Sequence, residues 1–488
     1  MEKLFQIKEH GSTPQIEVLA GVTTFFTMAY ILFVNPQILA QTGMNPDGVF
    51  IATIIASVIG TLMMAFIANV PYALAPGMGL NAFFTFTVCM AMGFTWQEAL
   101  ALVLICGVFN AIITFTKLRK MIIKAMPPTL QSAVSGGIGM FIAYIGIKDA
   151  GLLKFTADSP FQAIIPDNVP ASEVFTVVGT SSGTVPGLAT FANPAILLAL
   201  FGLVLMIILL VKKVRGAIFI GIVVATVVGI LIDLTGILST PLTGINDVSL
   251  TAEGFRESVS GIKDTAFHID FKGLFSGGLP KMMLALTAAI GFILTDVFDC
   301  IGTFIGTGRR SGIFDDEDMK RFNEGGNFSS RMDRALVADL TATITGSFVG
   351  TSNTTVYVES SAGIAVGGRT GFSSVITAGL FAVCIFLAPL MTAVPSSATA
   401  PALIVVGVMM MSAFSDINWK DFEEAAPAFL CAVMMPLSYG ITNGIAFGFI
   451  SYCIIKVARR KVSEVHPIVW GSAALFILNF IMQAVYRL

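Results

Sequence analysis

Three acidic side chains lie inside otherwise apolar stretches of the sequence. Asp296 and Asp299 stand one helical turn apart in the run 282–306, and Glu359 follows a stretch rich in β-branched residues. A charged group at the centre of a membrane helix costs about 2.5–3.5 kcal/mol or more, so such residues usually mark functional sites. Burial and like charge both favour the protonated carboxyl, and we expect at least one of the three to hold a proton at neutral pH. That is the chemistry a proton-coupled carrier needs.

Each of these acids also has a structural interpretation. Asp296 and Asp299 can cap backbone N–H groups of neighbouring broken helices, and Glu359 can interact with a helix dipole at an N-terminus. With Thr303, the two aspartates occupy positions i, i+3 and i+7 and are predicted to share one helix face. Asn81 can hydrogen-bond a ligand or only a facing strand. The residues alone leave both interpretations open.

The composition indicates that these acidic groups belong to a membrane protein. The 488 residues are 55% hydrophobic and only 12% charged, against about 25% charged in an average soluble domain. The net charge of −2 offers no basic field for nucleic acid. We predict an all-α polytopic membrane protein whose partner is the lipid bilayer. Its fourteen segments are placed, in order, at 19–39, 48–69, 78–91, 98–116, 132–147, 195–211, 217–235, 282–306, 335–350, 359–368, 372–391, 400–413, 424–438 and 441–457.

Cysteine and histidine give no sign of a metal site or disulfide framework. The six cysteines all lie in apolar runs without CxxC spacing, and the three histidines fall in connecting segments. We therefore expect no cofactor and no metal. No nucleophile–base pair is apparent in the apolar runs either, which argues against an enzyme.

The two halves of the chain resemble each other. The stretch 135–141 is similar to 405–411, and 216–222 is similar to 444–450, with the polar stretch 149–194 as an insertion in the first half. Seven segments in each half is an odd number, so the second half must enter the membrane from the opposite side. The sequence thus predicts two inverted repeats.

The third segment of each half is too short to span and begins with residues that disfavour a helix. Pro71, Pro76 and two glycines precede the first, and the β-branched stretch 351–358 precedes the second. We predict a short strand followed by a half-helix in segments 3 and 10. Irregular backbone is tolerated in a membrane only where it is buried in protein or lines a cavity, so the two breaks mark the expected binding site. A pair of kinks with packing significance only is the alternative.

The charges of the connections predict the orientation. With a cytoplasmic N-terminus, the basic residues Lys117, Arg119, Lys120 and Lys124, and those after segments 6 and 14, all fall on the cytoplasmic side. No removable signal peptide is evident. We expect a multi-pass protein of the cell membrane, with 308–334 as a solvated linker or, alternatively, a docking site. The run 468–485 either spans the bilayer or lies at its surface.

Aromatic residues near the breaks can provide stacking faces for a flat ligand. Phe26 and Tyr30, with Thr27 between them, lie on segment 1, and Phe83 lies on segment 3. The chain has 40 phenylalanines, so packing against lipid or protein explains most of them.

Four motifs together resemble the azaguanine-type purine nucleobase permeases, relatives of the uracil and xanthine permeases. They are residues 25–36, 73–84, 296–303 and 351–363. The resemblance implies a core of segments 1–4 and 8–11 that moves against a gate of segments 5–7 and 12–14. The implied boundaries are an N-terminus at 1–18, core at 19–131, gate at 132–235, an extracellular loop at 236–281, core at 282–391, gate at 392–457 and a C-terminal apolar segment at 458–488.

The resemblance also implies the site and the activity. Substrate is expected between segments 3 and 10, and the activity is import of hypoxanthine, guanine or adenine with a proton. The expected substrate contacts are Asn81, Asp296, Glu359, Phe26, Thr27, Gly79, Leu80, Phe298, Thr303 and Ser360. Proton coupling is expected from Asp299, Asp296 and Glu359. The related uracil carriers place a histidine on segment 8 and this chain does not, so the division of labour between the two aspartates stays open.

Other carriers of similar construction remain alternatives. Carboxylates and unwound carbonyls also hold Na⁺, which allows a sodium-coupled nucleobase carrier. Sulfate and bicarbonate carriers use comparable broken helices but rely on basic groups, whereas three acids here repel anions. A channel is a further alternative, and the buried site argues against it because a channel does not need a closed binding site. A homodimer through the gate is suggested by the resemblance only.

Overall fold

A computed structural model describes residues 2–116, 127–157, 184–238, 240–249, 251–309, 311–315, 317–318, 321–322 and 330–486. The basic residues between 117 and 124 that entered the orientation prediction lie outside this part. Much of the linker 308–334 and of the insertion 149–194 lies outside it as well.

Fourteen helical segments follow the predicted order within the described residues. They are segment 1 at Pro14–Met28 and Ile31–Ala40, segment 2 at Pro46–Met63 and Met64–Ala68, segment 3 at Met78–Ala82 and Phe83–Ala91, segment 4 at Trp96–Phe115, segment 5 at Pro128–Asp149, segment 6 at Pro194–Val211, segment 7 at Ala217–Leu234, segment 8 at Gly278–Thr303 and Phe304–Arg309, segment 9 at Arg331–Val349, segment 10 at Ser360–Val366, segment 11 at Gly371–Val383 and Cys384–Ala393, segment 12 at Ser396–Met410 and Met411–Asp416, segment 13 at Phe422–Leu437 and segment 14 at Ile441–Ala458.

The remaining helices lie at the ends and in one connection. They are Glu2–Phe5, Ile245–Asp247, Ala252–Ser260, Gly261–Asp264, Phe271–Ser276, Val462–Glu464 and Pro467–Tyr486. The connection 236–281, predicted as a loop, therefore carries several short helices. It packs on the membrane segments through the N–H of Phe267, which donates to the carbonyl of Phe348 at 2.7 Å.

Ten helices of the described part are long and apolar enough to cross a membrane, with Met78–Ala91 as a shorter apolar helix. Segments 6 and 7 expose large apolar side chains such as Phe201, Val204 and Leu231. Such faces are stable against lipid tails and costly in water. The protein is a multi-pass helical membrane protein, as predicted.

Segment 1, predicted as a membrane segment at 19–39, is one span from Pro14 to Ala40 with an irregular turn in its middle. Its helix ends at Met28 and resumes at Ile31. At the break, the N–H groups of Leu32 and Phe33 donate to carbonyls three residues earlier, which tightens the turn. Pro36 then removes one more N–H from the same stretch. Tyr30 lies in the break itself.

Two short antiparallel ladders complete the fold. Strand β1 (Leu74–Pro76) and strand β4 (Thr354–Val356) pair with each other, whereas β2 (Leu153–Ala157) pairs with β3 (Thr184–Leu188). The first ladder joins the two repeats, because each of its strands comes directly before a broken segment. The predicted strands before segments 3 and 10 are thus present.

The segments pack as two groups on either side of these breaks. Segment 9 packs on segments 2 and 4, while segment 1 packs on segments 10 and 11. Segment 5 packs on segments 12 and 13, and segment 6 packs on segments 7 and 12. The two groups meet around the starts of segments 3 and 10.

Candidate functional site

The two helix starts are brought together by close backbone contacts. Pro76 pairs with Thr354 in the β1–β4 ladder, and the N–H of Gly77 donates to the carbonyl of Asn353 at 3.0 Å. A Cβ at Gly77 would lie 2.6 Å from Cγ2 of Thr355, so the close approach requires glycine. Segment 3 then begins at Met78, the predicted residue.

A cavity of about 560 Å³ lies beside both helix starts. Its wall combines Tyr30, Gly77 to Gly79, Asp299 and the stretch 355–359 with residues of segments 5 and 12. Ser412, Ser415 and Asp416 line its far end and are exposed, so the cavity opens at the C-terminal end of segment 12. Within the described residues the wall contains no Lys or Arg.

Glu359 lies in this cavity at the N-cap position of segment 10. Its side chain does not cap its own helix. Its Oε1 instead accepts a hydrogen bond of 2.7 Å from Oη of Tyr30. The carboxylate is therefore held by segment 1, and lone pairs remain to accept donors from a ligand.

Asp299 is half-buried and lines the same cavity as Glu359. No Lys or Arg lies beside these two carboxyl groups in the described part of the wall, so they can bind a neutral ligand with N–H groups, or a proton. The first turn of segment 3 adds the N–H groups of Met78 and Gly79, which a helix start leaves without intrahelical acceptors.

Asp296 faces a different environment one turn earlier on segment 8. It is 2% exposed, and its Oδ2 accepts a hydrogen bond of 2.5 Å from Nδ2 of Asn110 on segment 4. It is absent from the described cavity wall. The predicted common face with Asp299 and Thr303 is thus divided between two environments.

Asp296 belongs to a buried polar cluster with Cys300 and Asp339, whose donor atoms lie within 4.8 Å of one another. The thiol of Cys300 donates to Oδ2 of Asp339 at 2.8 Å, and the N–H of Val356 donates to Oδ1 at 3.1 Å. The carboxyl groups of Asp296 and Asp339 therefore already accept hydrogen bonds from the protein. The bond from Val356 ties strand β4 to segment 9.

Three other predicted site residues hold the broken segments in place. Asn81 is buried and accepts a hydrogen bond from Oγ of Ser352, which favours the facing-strand interpretation. Oγ of Ser360 accepts from the N–H of Ala73 at 3.1 Å. Thr27 donates to the carbonyl of Glu359 at 3.4 Å as well as to its own helix.

The remaining predicted site residues do not lie together. Gly79 lines the cavity, whereas Leu80 and Thr303 are buried and do not appear in its described wall. Phe26 is 43% exposed and packs near Phe219 of segment 7, outside that wall. The side chain of Phe298 lies outside the described part of the chain.

Sequence reasoning missed the wall on the opposite side of the cavity. Ser135 of segment 5 and Val406, Met409 and Met410 of segment 12 lie there. A signal for them existed, because these residues fall inside the two similar stretches at 135–141 and 405–411. Only the packing shows that both stretches face the broken segments. Tyr357 also lines the cavity, and its Oη donates to the carbonyl of Pro76 at 2.7 Å.

Hydrogen bonds also join the two packing groups at the end of the molecule opposite the opening of the cavity. We call this set of hydrogen bonds the seam. Nε2 of Gln37 donates to the carbonyl of Val394 at 2.9 Å, and Oγ1 of Thr399 donates to Oε1 of Gln37. Gln41 donates to Asp149 at 3.3 Å. A second cavity of about 460 Å³ lies at the seam and includes these residues of segments 1, 5 and 12.

An inverted-repeat membrane fold with a cavity at two broken helices is the construction of secondary transporters. The sequence model described as "Permease family" (Xan_ur_permease) matches residues 15–447, and the chain belongs to that family. It is a permease and not an enzyme. The resemblance to nucleobase permeases predicted from the four motifs is confirmed at the family level.

Named relatives and a solved structure agree with this assignment. The chain is 37% identical to the adenine permease AdeP of Escherichia coli over 99% of this chain and 96% of the relative. It is 38% identical to the guanine/hypoxanthine permease PbuO of Bacillus subtilis over 98% and 99%. The transmembrane domain of the cyanobacterial bicarbonate transporter BicA has the same fold, with a TM-score of 0.56 at 16% identity over 88% of this chain and 97% of that one.

Proposed function

We propose that the protein imports purine nucleobases into the cell together with a proton. The observation that carries the proposal is the pair of carboxyl groups, Asp299 and Glu359, in one cavity at the two helix breaks. Purine rings present N–H groups along one edge, and a carboxylate accepts such donors strongly. The names of the relatives support the substrate class, since they transport adenine, guanine or hypoxanthine.

The two carboxyl groups have different roles in this proposal. Glu359, held by Tyr30, accepts the ring N–H groups of the base. Asp299 carries the proton, because it is half-buried in a cavity that opens to water and can therefore exchange a proton and sense the ligand. Asp296 has a structural role, because its hydrogen bond with Asn110 holds segment 8 against segment 4.

Transport requires the core and gate segments to move against each other. The cavity is open at Asp416, and the seam at Gln37 and Thr399 holds the other end closed. With a cytoplasmic N-terminus, segment 12 ends on the cytoplasmic side, so this arrangement is the inward-facing state in the cell membrane. Opening to the outside must break the seam.

The first experiment measures uptake of labelled hypoxanthine, guanine, adenine, uracil and xanthine into proteoliposomes, with an inward proton gradient and after its collapse. We expect saturable purine uptake that falls when the gradient collapses. Replacing sodium by choline at fixed pH separates the sodium-coupled alternative. Purine uptake that follows sodium and ignores the proton gradient would contradict the proton role, and uptake of sulfate or bicarbonate instead of bases would contradict the substrate class.

A cross-link across the seam tests the movement. Cysteines at Gln37 and Thr399 are expected to be joined by a short bifunctional thiol reagent, and uptake should then stop because the outer side cannot open. Wild-type protein and the two single variants treated in the same way control for the six native cysteines. Full uptake by completely cross-linked protein would show that the seam does not need to open.

A further inference from the structure

Tyr30 lies where segment 1 changes from one helix to the next. Helix Pro14–Met28 has ended and helix Ile31–Ala40 has not begun, so Tyr30 lies in the tightened turn between them. It is 1% exposed as a residue and yet lines the cavity. Its ring lies 6.5 Å from that of Tyr357, centroid to centroid.

The hydroxyl group of Tyr30 donates to Glu359, and it also interacts with the hydroxyl group of Tyr357. The distance from Oη to Oε1 is 2.7 Å, at a part-buried position. Hydrogen bonds to charged groups in such places are stronger than neutral ones. One turn earlier, Thr27 donates to the backbone carbonyl of the same residue at 3.4 Å.

Tyr357 provides a comparison with Tyr30. It lies in the same cavity and has the same side chain, but its hydroxyl donates to the carbonyl of Pro76 and so holds strand β1. Of the two tyrosines, Tyr30 is the one whose hydroxyl donates to a side chain that can touch the substrate. We infer that Tyr30 is a positioning residue that fixes the orientation of the Glu359 carboxylate for the ring N–H groups of the base. This inference rests on the proposed function.

The test is a double-mutant cycle of Tyr30→Phe and Glu359→Gln, measured as the Kd of labelled hypoxanthine in detergent and as KM and maximal rate in proteoliposomes. Tyr30→Phe removes only the hydroxyl, and we expect roughly a tenfold or larger rise in Kd and KM with a smaller change in maximal rate. In the Glu359→Gln background the same change should cost clearly less, because the hydroxyl then faces a neutral amide. Equal factors in the two backgrounds, or an unchanged Kd for Tyr30→Phe, would overturn the inference.

A second readout separates positioning from general packing. Wild-type protein should bind hypoxanthine much better than its derivatives methylated on a ring nitrogen, which lack an N–H donor. Tyr30→Phe should reduce this discrimination, whereas a packing defect would weaken all these ligands by a similar factor. Unchanged discrimination would count against the role of Tyr30.

Tyr452→Phe is the matched control. Its ring lies on segment 14 with Nζ of Lys456 5.5 Å from the centroid, outside the described cavity wall. We expect its Kd, KM and thermal stability to match wild type. Should Tyr30→Phe fail to fold, Thr27→Val takes its place, and unchanged affinity in that variant would overturn the idea that segment 1 positions residue 359. If wild-type protein binds no base, the proposed function fails and this inference falls with it; if wild type binds and the cycle shows no coupling, only the inference fails.

Discussion

Asp296 and Asp299 stand one helical turn apart on segment 8 and lie in opposite environments. Asp299 is half-buried in the cavity beside Glu359, whereas Asp296 is 2% exposed and holds the amide of Asn110. Their chemistry as free amino acids is identical. The difference shows that the neighbouring segments decide whether a membrane carboxyl is available for ligands or is used to hold the protein together.

The largest effect is expected from Asp299→Asn. If Asp299 exchanges the coupling proton, the variant should lose proton-driven accumulation of purines down to the level of protein-free liposomes. It should keep exchange of labelled for unlabelled base, which needs no net proton movement. Parallel measurements of gradient-driven uptake and of exchange check this, with Asp296→Asn as the control of equal chemistry. Full accumulation by Asp299→Asn would remove the proposed role.

A smaller effect is expected from changes at Asp296 and its partner Asn110. Asp296→Asn and Asn110→Leu should each lower the free energy of unfolding by roughly 1–3 kcal/mol, since each disturbs a buried hydrogen bond. The two changes should couple with each other and not with Asp299→Asn. Thermal unfolding in detergent measures this, and the proton dependence of uptake should persist. Loss of that dependence with unchanged stability would reverse the roles of the two aspartates.

The smallest effect is expected from Phe26→Ala. Phe26 is exposed beside Phe219, away from the described cavity wall, so KM for hypoxanthine should stay within about twofold of wild type. Uptake kinetics check this prediction against Tyr30→Phe, only four residues further on. A large rise in KM would mean that the cavity extends to the outer face of segment 1.

Sequence reasoning predicted the order of the segments and the two breaks because both depend on local chemistry. Pro76 and Gly77 prevent a helix before Met78, and β-branched residues favour the strand before Ser360. The tightened turn at Tyr30 within segment 1 was not predicted, because the nearest residue that disrupts a helix, Pro36, lies six positions later. Periodicity groups Asp296 with Asp299 and Thr303, but it does not show which segment each will face. That depends on Asn110 and Asp339, which are distant in sequence.

The ladder between β1 and β4 has a consequence for how the protein is made. Leu74 pairs with Val356, so the first broken segment has no strand partner until the ribosome has passed residue 356. Segments 3 to 9, seven in all, must enter the bilayer while the polar backbone of residues 74–76 still lacks its partner. Non-local pairings of this kind are slow to form. The insertion machinery therefore has to protect an unfinished core, and the binding site comes into being only late in synthesis.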